Sequence, residues 1–294
     1  MMGYAYRRKY REGSSMQVDR NMCVGCANCV PVCPMGAIHI DPTLDRAMIN
    51  EDECVECFTC YRGMSKEHLD PTLIRTIRML LKLARLRFDP EPDVCPTSAL
   101  TPQELTWPRI VRRAFSDPVV PHESTGVHGR GTEEVKTNDV TGRVQQGEVG
   151  FTIEFGRPGV GVRFRDIQRM TMALALLPIA FEARNPVFSL MSDPSTGAIR
   201  EDVLDEKVLS AIVELKTRLE HASQVLRVVE RVAGSLETIV SIGASARCNA
   251  EGDNALESLL KREGYVFYRG KTNLGMGRRL SNPTEVNTQR GVPL

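Results

Sequence analysis

A chain of 294 residues with 41% hydrophobic and 26% charged content is long enough for about two domains with ordinary cores. Lys and Arg total 38 against 37 Asp and Glu, a net charge of +1 that argues against a general nucleic-acid binder. The longest apolar stretch, residues 170–181, is too short to span a bilayer and contains Pro178, and the basic, tyrosine-rich residues 1–13 lack the apolar core of a signal peptide; no membrane span and a cytoplasmic location are expected.

Residues 16–19 read as a short strand entering the run Cys23-Val-Gly-Cys26-Ala-Asn-Cys29-Val-Pro-Val-Cys33-Pro34. Three cysteines at every third position, a fourth four residues later and a proline after it form the C-x₂-C-x₂-C-x₃-C-P pattern that binds iron–sulfur clusters. A tight turn aims three successive thiolates at one cubane, and Gly25 and Ala27 leave room for the backbone. The fourth thiolate then reaches a different cluster, so a second motif is expected. Residues 37–40 alternate as a strand, turn at residues 41–43 and return through residues 47–49, with His39 facing solvent. Cys54-Val-Glu-Cys57-Phe-Thr-Cys60 follows, starting 31 residues after the first motif, and Cys95-Pro96 closes the set.

The reading is two [4Fe–4S] clusters, one held by Cys23, Cys26, Cys29 and Cys95, the other by Cys54, Cys57, Cys60 and Cys33. A zinc site wants two pairs of ligands rather than a run of four, and a disulfide framework belongs to small secreted chains. Cys95 stands apart, with 34 residues between it and Cys60. Were it free, the first cluster would have three protein ligands and one exchangeable iron. Cys248 is left over, as a buried and inert thiol. Residues 16–100 resemble the bacterial dicluster ferredoxins, with an enlarged second loop as the departure. That resemblance implies one-electron carriage at low potential, and the need to keep exposed cubanes reduced makes an anaerobic setting the natural one.

Within the insertion, residues 61–94, Asp70-Pro71 starts a helix that runs to about Phe88, where Pro90 and Pro92 stop it. Leu73, Ile77, Leu80, Leu81 and Ala84 share one face; Arg75, Arg78, Lys82 and Arg85 share the other. The helix either packs on the cluster domain with its basic face solvated, or uses that face to dock an acidic, ferredoxin-like electron donor. Thr101-Pro-Gln-Glu104 reads as a capping box for another helical turn, and residues 110–115 follow Pro108, with Arg109, Arg112 and Arg113 extending the basic surface.

Residues 116–150 are rich in histidine, glycine and charge. They are either a linker or a substrate cradle in which Arg130, Lys136 and Arg143 supply positive charge. The run His128-Gly-Arg-Gly-Thr-Glu-Glu-Val-Lys-Thr-Asn-Asp-Val-Thr-Gly-Arg143 resembles the downstream segment of 6-hydroxynicotinate reductases, iron–sulfur enzymes that reduce a pyridone ring with ferredoxin electrons. On that reading the candidate catalytic residues are His128, Glu133 and Glu134 for protons, and Arg130 and Lys136 for a substrate carboxylate.

Beyond residue 150 the pattern alternates: strands over 149–155, 186–191, 238–242 and 265–268; helices over 165–177 and 255–263, the last closed by Gly264; and a long amphipathic segment over 201–232, as one helix or two, whose stripe could also pair two subunits into a homo-oligomer. The fold class expected is α+β: a dicluster ferredoxin domain over 1–116 with a helical insertion over 61–94, a polar connecting loop over 117–148, and an α/β sandwich over 149–294. Gly156-Arg-Pro-Gly159-Val-Gly161 lacks the order of a dinucleotide fingerprint, and Gly264 to Thr272 lacks the spacing of a P-loop. No motif therefore supports a flavin, although one held by another fold stays open. Two functions are expected to compete: electron transfer from a ferredoxin through two clusters to a partner reductase or catalytic subunit, and ferredoxin-dependent reduction of a conjugated or heteroaromatic ring.

Overall fold

The computed structural model describes residues 15–62, 71–84, 94–129 and 142–268. Toward the amino terminus lie β1 (Gln17–Val18), β2 (Ile38–Asp41), β3 (Arg46–Ile49), the single turn α1 (Thr59–Arg62), α2 (Pro71–Leu83) and β4 (Leu100–Thr101). β1 pairs antiparallel with β4, and β2 with β3. Helix α2 begins at the expected proline, but Leu80 and Ala84, expected on its packed face, are exposed, as are Met79, Lys82 and Leu83. Thr101 caps no helix. Its backbone is committed to pairing with Gln17, and helix resumes only in α3 (Ile110–Ser116).

The remaining elements are β5 (Glu148–Phe155), β6 (Val162–Arg163), α4 (Phe164–Ala175), β7 (Ile179–Phe181), β8 (Met191–Asp193), β9 (Ala198–Ile199), β10 (Lys207–Val208), β11 (Ala211–Arg218), α5 (Ala222–Ala233), β12 (Val240–Ala246) and α6 (Ala255–Arg262). Four strands form one antiparallel sheet in the order β12–β5–β11–β7. Alternation along β5 turns Val149, Phe151, Ile153 and Phe155 into a core shared with Ile167, Met170 and Leu174 of α4 and Val225 and Val229 of α5. Each such side chain removed from water contributes roughly 1.5–3 kcal/mol. Val111 and Phe115 of α3 join this core, the Phe115 ring standing edge-on to Phe164 at 5.2 Å. Asn254 caps α6, its side chain accepting from the Leu256 amide at 3.0 Å.

Three expectations are corrected. Residues 201–232 are not a helix or helix pair: they hold β10, β11 and only then α5. Leu204, Val208, Ala211, Leu215, Leu219 and Ala222 recur at helical spacing, yet 211–218 also alternates, and register with β5 turns Val213, Leu215 and Thr217 to the core and Glu214 and Lys216 to the other face. Residues 186–191 form a 3₁₀ turn leading into β8, not a strand, because the Asn185 side chain accepts from the Val187 amide and its carbonyl from Ser189. Residues 265–268 form no strand; after Gly264 the Tyr265 amide folds back to the Leu260 carbonyl. Among the described residues, no helix is long and apolar enough to cross a membrane.

Candidate metal centres

The two cysteine loops are copies of one backbone. Cys23 and Cys54 each donate their amide to a carbonyl four residues earlier, Asp19 and Asn50, at 2.9 Å. Gly25 and Ala27 have φ of 69° and 62°, and 31 residues later Glu56 and Phe58 have 57° and 56°. Positive φ is uncommon for residues with a Cβ and concentrates at functional sites. Here it turns the chain so that successive cysteines face one side. Gly25 is also required for close approach, since a Cβ there would lie 2.5 Å from the Asp45 carbonyl oxygen.

The two Cys-Pro turns are likewise copies. In Cys33-Pro-Met-Gly36-Ala37 and Cys95-Pro-Thr-Ser98-Ala99, the fourth residue has φ of 64° and 58°, and the alanine amide donates to the cysteine Sγ at 3.3 and 3.2 Å. The Ala37 carbonyl accepts from Asn50 and the Ala99 carbonyl from Asp19, both at 2.8 Å. Each turn is thereby anchored to the strand that leads into a cysteine loop. Despite the insertion before it, Cys95 occupies the position that Cys33 holds in the other half.

The outcome is two cavities, each walled by four cysteines. Cys23, Cys26, Cys29 and Cys95 line one, and Cys33, Cys54, Cys57 and Cys60 line the other. Among the described residues no three His, Cys, Asp or Glu side chains converge as they would on a single ion; the thiols surround a space instead. Apolar walls, four soft donors and amides aimed at sulfur, including Ala47 to Cys23 at 3.4 Å, suit a cluster of several irons. Burial pushes the Cys54 thiol up to about 12, with the Glu56 carboxylate adding, and Cys29 up to about 11; it also raises Cys57 and Cys60. Cys95 goes the other way: burial is outweighed by the Thr97 hydroxyl and the amides of Ala99, Thr97 and Leu100. Binding of metal must therefore displace protons from most of these sulfurs.

Residues that the sequence left unmarked, or assigned to a basic surface, enclose the second cavity. Glu56, 1% exposed, pairs with Arg109 at 2.6 Å. Arg112, expected on a basic surface, is 3% exposed. It donates to the carbonyls of Glu51, Asp52 and Cys54 at 2.9, 3.2 and 2.8 Å and pairs with Glu206, since a buried guanidinium must spend its donors on fixed acceptors. Asp117 accepts from Arg62 and, at 3.2 Å, from Arg113, whose guanidinium lies 4.4 Å over the Phe58 ring; Arg62 also reaches the Cys57 carbonyl at 3.1 Å. The positive φ of Glu56 and Phe58 is the signal that a sequence withholds.

Of the other candidates, His128 is exposed, and Arg130, Glu133, Glu134 and Lys136 lie outside the described residues. Arg143 pairs with Glu182 at 2.7 Å and lies 3.7 Å from Glu214. His122 is a core residue, its ring edge-on to Phe115 at 4.6 Å, and burial pushes its pKa down to about 4. His39 is exposed, as expected. Cys248 is half-buried rather than buried.

Residues 15–63 match the family described as the 4Fe-4S dicluster domain, and the chain carries a dicluster ferredoxin domain there. A 43-residue stretch is 42% identical to Ferredoxin-1 of Rhodobacter capsulatus, covering 15% of this chain and 63% of that ferredoxin. The chain thus spans less than two thirds of this relative's length. The family match does not reach His128–Arg143, and the resemblance drawn there gains no support from it. No solved structure matches the chain.

Proposed function

We propose, starting from the dicluster ferredoxin domain at residues 15–63, that this protein holds two [4Fe–4S] clusters and passes single low-potential electrons from a ferredoxin-like donor to a partner reductase or to its own carboxy-terminal domain. The observation that carries the reading is the matched pair of cavities, each lined by three cysteines of one loop and one Cys-Pro turn. Cys23, Cys26, Cys29 and Cys95 would hold one cluster, and Cys54, Cys57, Cys60 and Cys33 the other. Bound there, each cluster supplies a centre that accepts and returns one electron. The protein's residues set its energy: amide donors at Cys23, Cys33 and Cys95 favour the more negative, reduced state, whereas apolar walls disfavour it. An anaerobic cytoplasm is the proposed setting.

Ring reduction would place a substrate against residues 128–143, of which His128, Gly129, Gly142 and Arg143 are described. None of these four adds support to that alternative. The test is metal content and electron uptake under anaerobic reconstitution. The protein should bind about eight iron atoms per chain, show two interacting paramagnets when reduced, and take electrons from a reduced ferredoxin. Cys95→Ala leaves three thiols at the first site and should make one iron exchangeable, so that a chelator removes it, and Cys248→Ser should leave the iron unchanged. Iron in Cys95→Ala that resists the chelator as in the unmutated protein would refute the ligand assignment, and failure to take electrons would refute the carrier.

A further inference from the structure

The repeat allows the surroundings of the two cavities to be compared position by position, and they differ sharply. Val24 lines the first cavity and is 58% exposed; its counterpart Val55 lines the second and is 2% exposed. Cys26 is exposed and Cys57 is buried; of the other loop thiols, Cys23 and Cys29 are buried and their counterparts Cys54 and Cys60 half-buried, so the contrast lies at the loop tip around Val24 and Cys26. Met22 lies open to solvent, whereas Glu53 in the corresponding place is held by Lys207 at 2.5 Å. The backbone is the same and only the covering differs.

That cover is the carboxy-terminal part of the chain. Leu209 packs against the cluster of Met35, Ala37, Val55 and Cys57. The Gly159 amide donates to the Pro34 carbonyl at 2.6 Å, and Gly161 lies so close that a Cβ would meet Met35 Cε at 2.9 Å. The glycine-rich segment 156–161, which has no dinucleotide spacing, serves here as the surface on which the Cys33-Pro34 turn rests. Arg109 and Arg112 close another side through Glu56 and the carbonyls of Glu51, Asp52 and Cys54.

We infer that the two sites are unequal: the first is the port at which single electrons are exchanged with an external one-electron carrier protein, and the second communicates with that carrier only through the first. Tunnelling weakens exponentially with separation, and a folded carrier can approach no nearer than the protein between it and the metal permits. Val24 and Cys26 stand open to solvent over the first site, whereas the matching Val55 and Cys57 of the second lie beneath the carboxy-terminal part of the chain. One electron leaves the reduced carrier, which is oxidised by one; the first site gains it and, on passing it inward, returns to its starting state. This rests on the two-cluster reading above.

The experiment uses the full chain, reconstituted anaerobically, and begins with iron content, so that a protein lacking two clusters is recognised as a failure of that reading and not of the port. Cys26→Ala/Cys29→Ala leaves the first site two thiols and should retain the second cluster. Electron uptake by that cluster from a small reduced ferredoxin should fall at least about 100-fold relative to the unmutated protein, while dithionite still reduces it. An unchanged rate with the ferredoxin would overturn the inference. Should the variant fail to load, the unmutated protein still decides: ferricyanide with a chelator should release half the iron about tenfold faster than the rest, and release in a single phase would overturn the inference equally.

Discussion

Replacing Arg112 by methionine tests whether the carboxy-terminal domain is fastened to the second cysteine loop as described. The substitution keeps most of the apolar stem and removes a buried guanidinium that bonds three backbone carbonyls and Glu206. Breaking one side of a buried ion pair costs about 3–5 kcal/mol. Glu206, whose side chain is 13% exposed, can partly regain water, which points to the lower end. The carbonyl of Cys54, left without its donor, adds roughly 1–3 kcal/mol if it stays dry. A loss of about 4 kcal/mol is therefore expected. Glu206→Gln keeps an acceptor for Arg112 and should lose clearly less; the double variant Arg112→Met/Glu206→Met should lose less than the separate losses combined. Urea unfolding of the anaerobic, metal-loaded protein can be followed at two places, through visible absorbance at the clusters and through the fluorescence of Trp107. This single tryptophan of the chain donates to Asp202 at 2.6 Å and lies 4.5 Å beneath Arg200. A loss in Arg112→Met of less than about 1 kcal/mol would refute the argument that these bonds fasten the domain.

Two further perturbations have definite signs. Gly25→Ala should abolish loading of the first site, because its Cβ would stand 2.5 Å from a backbone oxygen, whereas Gly36→Ala, with a similar φ and open space, should cost only about 1–2 kcal/mol and keep the iron; equal iron contents would contradict the steric account. His122 refuses a proton until about pH 4, while an unfolded histidine takes one near 6.5, so its contribution is present above pH 6.5 and is lost as pH falls toward 4. Roughly 2 kcal/mol should be gone at pH 5, and His122→Phe should lose correspondingly less between pH 7 and 5; identical losses in the two proteins would show that the ring is not the proton-linked group.

The metal-binding half was legible because cluster chemistry is written in spacing. Seven cysteines at fixed intervals, with Cys95 beyond the insertion and prolines behind two of the eight, mark the residues that wall the two cavities, and their ligation of clusters is the proposal made above. What spacing could not convey was the partner of a charged residue. Arg112 lies in a short basic run and reads as surface, and only the fold brings Glu206 to it across 94 positions. The central strand β11 was hidden for a different reason. Its residues satisfy the helical and the strand periods at once, and pairing with β5 decides between them. Glu56 and Phe58 look ordinary in a sequence, because nothing local announces that the turn they occupy needs positive φ.

The crossed sharing of the Cys-Pro turns also imposes an order in time on the growing chain. Every thiol proposed for the second site lies between residues 33 and 60, so that set is complete early in synthesis. The first site must wait for the 34 intervening residues and then Cys95 itself, roughly 2–7 s at ordinary elongation rates. During that interval a nascent chain offers delivery machinery one full set of four thiols and one set of three. The site that comes to lie beneath the carboxy-terminal part of the chain is thus the one whose thiols are all present first, before the segment that covers it has been made.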